Sequence, residues 1–470
     1  MRYQPLPIVN GFYADDSRSW SEQDVCNWLP VAAEVNGTRT ATMYATPPGL
    51  RPFSQPGSGE IEVDGVVRGT YNCEGKFFAV VGRELYQYST AGTPTHIGTV
   101  PGTGRVSFSH NQITNGNQLL VVTGRAGYVY DTTTLAFTRI TDPGYPGAIV
   151  ADFANGYLIQ IEPSRRFAFH SDLANAFAYN TLDRFTSETS PDLLVTLAVN
   201  NNQLVLFSET TFEVFNNTGA AQQPWRTTRT VMDKGCAGRF TVAKSDNTLF
   251  FLGNDGMFYR LQGYSPIRIS TRPIEQAIRG LNWSQAFCFV WEDAGHSVIY
   301  WTFPDGHTWG YDVAQQQWHR RASYGLDKWR PASMTFWKNA WYAGDFQGPR
   351  IWKLDWDYLK EGDQAFVSEC TTAAVNDNQN RMTMDRLEII MDTGKAMTAD
   401  HALRMQYRDQ GDAEFGYWDE ASIGEVGEYG KRIVFTRLGA FRNRVIRLQC
   451  SSPSKRDVLG AVVGVTQSDS

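Results

Sequence analysis

The sequence predicts an all-β protein, a series of small four-stranded sheets followed by an antiparallel unit with longer strands. Three observations predict it. Short hairpins of one build recur along most of the chain. Composition suits sheets: 13% of the 470 residues are aromatic, with 14 Trp and 42 Gly, combining side chains that fit a pleated surface with residues that allow tight reversals. Extended helical periodicity is nearly absent. The one helix expected is short, Pro273 to Gly280, with Ile274, Ala277 and Ile278 on one face.

The clearest hairpin runs from Asn117 to Tyr130. Its aliphatic run Leu119-Leu120-Val121-Val122 meets Thr123-Gly124-Arg125-Ala126-Gly127, and Tyr128-Val129-Tyr130 returns. Adjoining strands are expected at Val106 to His110 and Ala136 to Ile140. Such a sheet cannot bury both faces alone, so copies should follow. They begin upstream at Lys76 to Tyr88. Downstream they include Gly156 to Ile159, Gln203 to Phe207, Thr248 to Tyr259, Ser297 to Trp301 and Asn339 to Ala343. The spacing of roughly forty to fifty residues matches propeller blades. The expectation is a β-propeller of about seven blades over residues 65–366, with a six-blade or split count open because the third unit is degenerate.

Ahead of the ring, residues 1–64 are non-repetitive and rich in Pro, Gly and Trp. Their apolar island is Cys26-Asn27-Trp28-Leu29-Pro30-Val31, and Gly49-Leu50-Arg51-Pro52-Phe53 and Pro56-Gly57-Ser58-Gly59 lead into the repeats. This segment is expected to close the propeller and contact neighbours. After the polar break Lys360-Glu361-Gly362-Asp363 the pattern changes. Longer strands are expected at Met384 to Met391, Ala402 to Tyr407, Arg432 to Leu438, Arg444 to Ser451 and Val458 to Val465. Residues 367–470 therefore read as a C-terminal antiparallel β-sandwich-like domain.

In order along the chain, Trp28-Leu29-Pro30-Val31, Gly49 to Phe53, Gly65-Val66-Val67-Arg68-Gly69-Thr70-Tyr71-Asn72, Gly102-Thr103-Gly104-Arg105-Val106-Ser107, Lys431 to Gly439 and Arg442-Asn443-Arg444-Val445 resemble the packaged-DNA stabilisation proteins of short-tailed phages, the tail hub or nozzle. The likeness spans nearly the full length through short motifs. Leu438-Gly439 followed by Arg442-Asn443 occurs in phage tail proteins more widely. The resemblance implies a structural virion protein, made in the host cytoplasm and built into the tail. It implies a homo-hexamer on the portal adaptor (head-to-tail connector) protein. Such a hub closes the DNA exit channel, retains packaged DNA, and carries a tailspike or tail fibre and a needle or plug. Later it is a conduit for double-stranded DNA during ejection, without sequence-specific binding.

Tests for chemistry return nothing positive, so no catalytic, cofactor-binding or metal residue and no cofactor is expected. Gly102-Thr103-Gly104-Arg105 lacks the Gly-Lys-Ser/Thr and the following helix of a phosphate loop and reads as a turn. Asp305-Gly306 lacks the intervening residue of a sialidase aspartate box and is solitary, so it reads as a hairpin turn. His96, His110, His170, His296, His307, His319 and His401 are dispersed, without metal-ligand spacing. Asp15-Asp16 and Glu292-Asp293 are adjacent and turn-like. Cys26, Cys73, Cys236, Cys288, Cys370 and Cys450 read as buried free thiols. The start Met1-Arg2-Tyr3-Gln4-Pro5 does not read as a secretory signal, so the Asn-x-Ser/Thr matches at Asn36, Asn216 and Asn282 read as chance. No membrane span is expected.

One charge feature stands out. Lys431 to Arg456 holds eight basic residues and no acidic one, in a chain of formal net charge -6. Phosphate contact would use such a run. Pairing with carboxylates is the favoured reading, because Arg442 and Arg444 share a strand face with Ile446 and Leu448. The alternative class is a glycan-binding or glycan-hydrolysing propeller. Repeated aspartate boxes or a central Arg and Glu cluster would favour it, and neither is visible.

Overall fold

The hairpin at 116–131 forms as its residues dictate. Strands Gly116–Val122 and Gly127–Asp131 pair with Leu119 opposite Tyr130 and Val122 opposite Gly127. Gly124, at φ 93°, makes the reversal. A Cβ at Gly127 would run into the Tyr145 hydroxyl and Ile140, so this position needs glycine for close approach. Ser107–Ile113 and Phe137–Arg139 flank the hairpin and complete one four-stranded meander. This computed structural model describes residues 2–54, 65–113, 116–187, 191–220, 222–395, 402–409 and 414–467. Pro56 to Gly59 and His401 lie outside them.

Among the described residues, six four-stranded sheets stand free around the ring: 67–99, 107–139, 150–185, 194–232, 242–268, and 331–355 completed by Gly49–Ser54. The expected count of about seven separate blades is corrected to six. The remaining repeat, 287–321, has the same meander but is not a separate sheet. Its outer strand Gln317–Arg321 is met in parallel by Glu22–Cys26, which pairs in turn with Ser368–Thr371. A periodicity count cannot see this, because the repeat is ordinary until a distant segment joins its edge. The degenerate unit is real: its outer strands are only Ala168–His170 and Arg184–Phe185.

Each innermost strand lies against that of the next repeat, and Pro331–Trp337 lies against Val67–Cys73, so the ring closes. Apolar side chains fill the wedges between blades. At the closure, Phe77, Tyr86 and Tyr88 pack with Trp337, Tyr342 and Ile351. Each such buried side chain contributes roughly 1.5–3 kcal/mol. Gly49–Ser54 supplies the outer strand of the last blade, with Leu50 opposite Leu354. The expected helix is present as Arg272–Ala277, opened by a proline in its first turn and burying Ile274.

The sandwich draws on both ends of the chain. One sheet runs Ile433–Thr436, Met382–Met391, Val458–Gln467, Thr42–Ala45, Leu29–Ala32, with Arg2–Leu6 and Ala440–Phe441 added. The opposing layer is the far part of the sheet that begins in the propeller: Ser368–Thr371, Asn443–Cys450, Ala402–Arg408 and Asp419–Ser422. Trp28, Tyr44, Met384, Leu387, Met405, Ile446, Leu448 and Val463 are among the residues filling the space between. The N-terminal segment thus serves both domains: Arg2–Leu6, Leu29–Ala32 and Thr42–Ala45 enter the sandwich sheet, Phe12 packs on the propeller, Glu22–Cys26 joins the edge of the 287–321 repeat, and Gly49–Ser54 completes a blade.

Candidate functional site

Two regions are built with more than ring packing requires: the seam between propeller and sandwich, and the mouth of the ring.

At the seam the continuous sheet is reinforced by side chains. Asn27 is buried at φ 55°, a conformation asparagine tolerates better than most residues. Its amide donates to the carbonyls of Ala322 and Val367 at 2.8 and 2.7 Å, and its Oδ1 accepts from the Ala322 N–H at 3.1 Å. Its backbone accepts from Ser368 Oγ and donates to the Arg320 carbonyl. One residue therefore ties the end of the outer strand Gln317–Arg321 to the start of Ser368–Thr371. Beside it, Trp28 stacks on Tyr44 and donates to the Arg456 carbonyl at 3.1 Å. Ion pairs Arg320 with Asp24 and Arg408 with Glu22 flank the joining strand on both sides.

The basic run belongs to the sandwich and meets the seam at Arg456, and its long side chains are mostly engaged. Arg444 is buried and bidentate to Asp409 at 2.6 and 2.8 Å. Arg432 pairs with Glu388, Arg447 lies 3.7 Å from Glu369, and Lys455 meets Asp392 and Asp457. Among the described residues Arg456 has no carboxylate partner, but it is held by Ser368 Oγ, the carbonyls of Ser452 and Ser454, and the face of Phe366. Burial pushes its pKa down to about 10.

The mouth is a cavity of about 700 Å³ lined by Arg105, Arg165, Glu209, Arg239, Phe240 and Trp283 among others. Thr123, Arg165, Glu209 and Asn254, also in the lining, sit on turns between the second and third strands of four successive blades. Gly104-Arg105, Cys236 to Phe240 and Leu281 to Gln285 lie on connections between blades. In an antiparallel meander both kinds of turn open on the same face, so the lining is one end of the ring. Arg105 precedes the innermost strand 107–113, yet its guanidinium lies 3.9 Å from the Phe287 ring centroid and 5.4 Å from that of Phe240. Those rings belong to repeats across the ring, so Arg105 bridges its axis.

Charge at the mouth is unbalanced. Arg165 is tied to Glu209 at 2.8 Å and to the Leu194 carbonyl at 2.7 Å. Arg105 and Arg239 have no hydrogen-bond or carboxylate partner among the described residues, and the Nε of each is buried without an acceptor. Burial pushes the Arg105 pKa down to about 10. Burial, and then the charge of Arg165, lowers that of Arg239.

The remaining sequence features fall elsewhere. Gly102-Thr103-Gly104 is a turn that accepts the Arg68 guanidinium at the Gly104 carbonyl, 2.6 Å away. Asp305-Gly306 turns the hairpin between His296–Thr302 and Thr308–Asp312, and Asp305 accepts the Asn282 N–H at 2.8 Å. His296 bonds Asp312 at 2.6 Å, His110 bonds Tyr71 at 2.8 Å, and His96 bonds Glu84 at 2.8 Å. Burial holds His319 down at about 3. None of the six cysteines is joined in a disulfide among the described residues, and burial pushes the Cys26 and Cys236 thiols up to about 11. Among the described residues, no three His, Cys, Asp or Glu side chains gather as a metal site would need, and no helix is long and apolar enough to cross a membrane. Sequence reasoning singled out neither Asn27 nor the Arg105 and Arg239 pair as functional. The available signal for the pair was positional: both arginines lie on connections between blades.

A β-propeller continuous with a β-sandwich, linked through buried polar bonds, defines a two-domain structural protein of all-β architecture. The chain belongs to the bacteriophage P22 Gp10 family of phage tail hub and DNA stabilisation proteins: the family's β-propeller profile matches residues 4–358 and its β-sandwich profile residues 368–466. It is 24% identical over 494 residues to the tail hub protein gp10 of Salmonella phage P22, covering 96% of this chain and 98% of that protein. Its role is thus that of a structural component of the phage tail. Looser likenesses join it to virginiamycin B lyase from Staphylococcus aureus, at 10% identity, 62% of this chain, 94% of that one and TM-score 0.43. The computationally designed Ika8 protein is similar at 10% identity, 74% of this chain, 99% of that one and TM-score 0.40. Neither bears on function.

Proposed function

We propose that six copies of this chain form the nozzle of a short phage tail. The ring docks on the adaptor protein below the portal and closes the DNA exit channel once the genome is packaged. It carries tailspikes or fibres and a needle or plug, and later serves as conduit for the leaving DNA. It works by assembly and occlusion, without catalysis or cofactor. In this division of labour 65–366 is the body, 367–470 the second domain, and 1–64 the segment that closes the propeller and contacts neighbours.

The observation that carries this reading is the eleven-stranded sheet that runs from the propeller into the sandwich. A subunit joined by a shared sheet behaves as one wedge, and a fixed wedge shape can specify how many copies close a ring. Arg105 across the propeller axis supports a DNA path between subunits rather than through each propeller. Free subunits are expected to be largely monomeric, because every ring contact must offset lost rotational and translational freedom. On the preformed adaptor that cost falls. Imaging of tail complexes tests the proposal: six copies around the DNA axis support it, and any other count sinks it.

A further inference from the structure

We propose that the mouth of the propeller is a receptor for an acidic peptide segment, whose Asp or Glu carboxylate is taken by Arg105 and Arg239 together. The receptor goes beyond the tail-hub reading and does not depend on the number of subunits.

Three facts converge on it. First, among the described residues Arg105, Arg165 and Arg239 share the lining with one carboxylate, Glu209, and that carboxylate is already bound to Arg165. Second, Arg105 and Arg239 each keep a buried Nε without an acceptor. A buried donor without a partner is costly, and a guanidinium recognises a carboxylate through paired N–H groups. Other arginines also keep a buried Nε without an acceptor, Arg386 and Arg408 among them, but those two pair with carboxylates; Arg456, without a carboxylate among the described residues, has its donors met by Ser368 Oγ and by carbonyls. Third, the lining is mixed. Val195, Phe240, Leu281 and Trp283 stand beside the arginines, which suits the apolar stem of a peptide with a charged tip.

Size separates the two kinds of anion. About 700 Å³ is the scale of a pocket for a few side chains. Duplex DNA presents phosphates along a rod, about one per 1.7 Å of axis, and reads best on an extended basic surface. A mouth with a bridging arginine at its floor takes the tip of a loop. No covalent step is involved.

The test uses the full chain and a fluorescently labelled peptide with two central Glu flanked by Gly and Ser. Its Gln counterpart and a labelled DNA duplex are run beside it, with anisotropy as the readout. Saturable binding of the Glu peptide, weaker by about tenfold or more for the Gln peptide and for R105M and R239M, is the expected result. R239E should reverse the preference toward a Lys peptide of the same length. Should a variant fail to fold, the Glu and Gln pair on the unaltered chain decides alone. Equal binding of the two peptides, no binding of the Glu peptide, or displacement of it by the duplex would each overturn the proposal.

Discussion

The arginines of the sandwich and those of the propeller mouth differ in a way that inverts what the sequence suggests. Lys431 to Arg456 looks like a basic surface, yet Arg432, Arg444 and Arg447 face carboxylates and Arg456 is surrounded by oxygens. Arg105 and Arg239 look isolated, yet the ring brings them to one cavity with no anion of their own. Closeness in sequence along a strand distributes side chains over two faces, whereas a ring gathers residues from distant turns onto one end. A charge run is thus a poor guide to a charged site in a closed β architecture.

If the sandwich arginines are structural, removing their surroundings should be costly. Trp28→Ala empties the space between Tyr44 and the Arg456 backbone and should lower unfolding free energy by about 3–5 kcal/mol, read from urea titration. Arg444→Leu removes the bidentate bonds to Asp409, whose side chain is 36% exposed, and the contacts with the Tyr407 and Phe441 rings, and a loss of about 1.5–3 kcal/mol is expected by the same measurement. Asn27→Ala strands the Ala322 amide and two carbonyls and keeps a strained φ, for about 2–4 kcal/mol. The mouth should behave oppositely. R105M removes a charge that has no counter-ion and keeps most of the packing, so stability should change by no more than about 1 kcal/mol in either direction. A loss as large as that of Arg444→Leu would erase the distinction between the two regions.

Acid titration sharpens the contrast with a base that is buried neutral. His319 has a folded pKa of about 3 against an ordinary 6.5. The unfolded chain therefore binds this proton first, and stability falls as pH drops from 6.5 toward 3, by up to about 1.4 kcal/mol per pH unit. His319→Gln should flatten that part of the profile, whereas R105M should leave it unchanged.

The blades were legible in the sequence because their pairings are local: Val122 meets Gly127 across one turn, and the same grammar repeats. The seam was not. Cys26 pairs with Arg320 and with Glu369, contacts separated by hundreds of residues and carried by a strand too short to show a period. For the same reason the repeat at 287–321 counted as one more blade until its edge proved occupied. Asn27 stood in view within an apolar island, but nothing local distinguishes a node of long-range hydrogen bonds from a turn. Arg105 was read as the end of a Gly-rich turn, which it is; its reach across the ring to Phe287 depends on closure.

The gatekeeping role meets its most direct test in particles assembled without this chain. Genome content is measured after packaging is complete and the heads are purified. Such particles should fill with DNA and then lose it, and adding the purified chain before purification should restore retention. Particles that keep a full genome in its absence would contradict it.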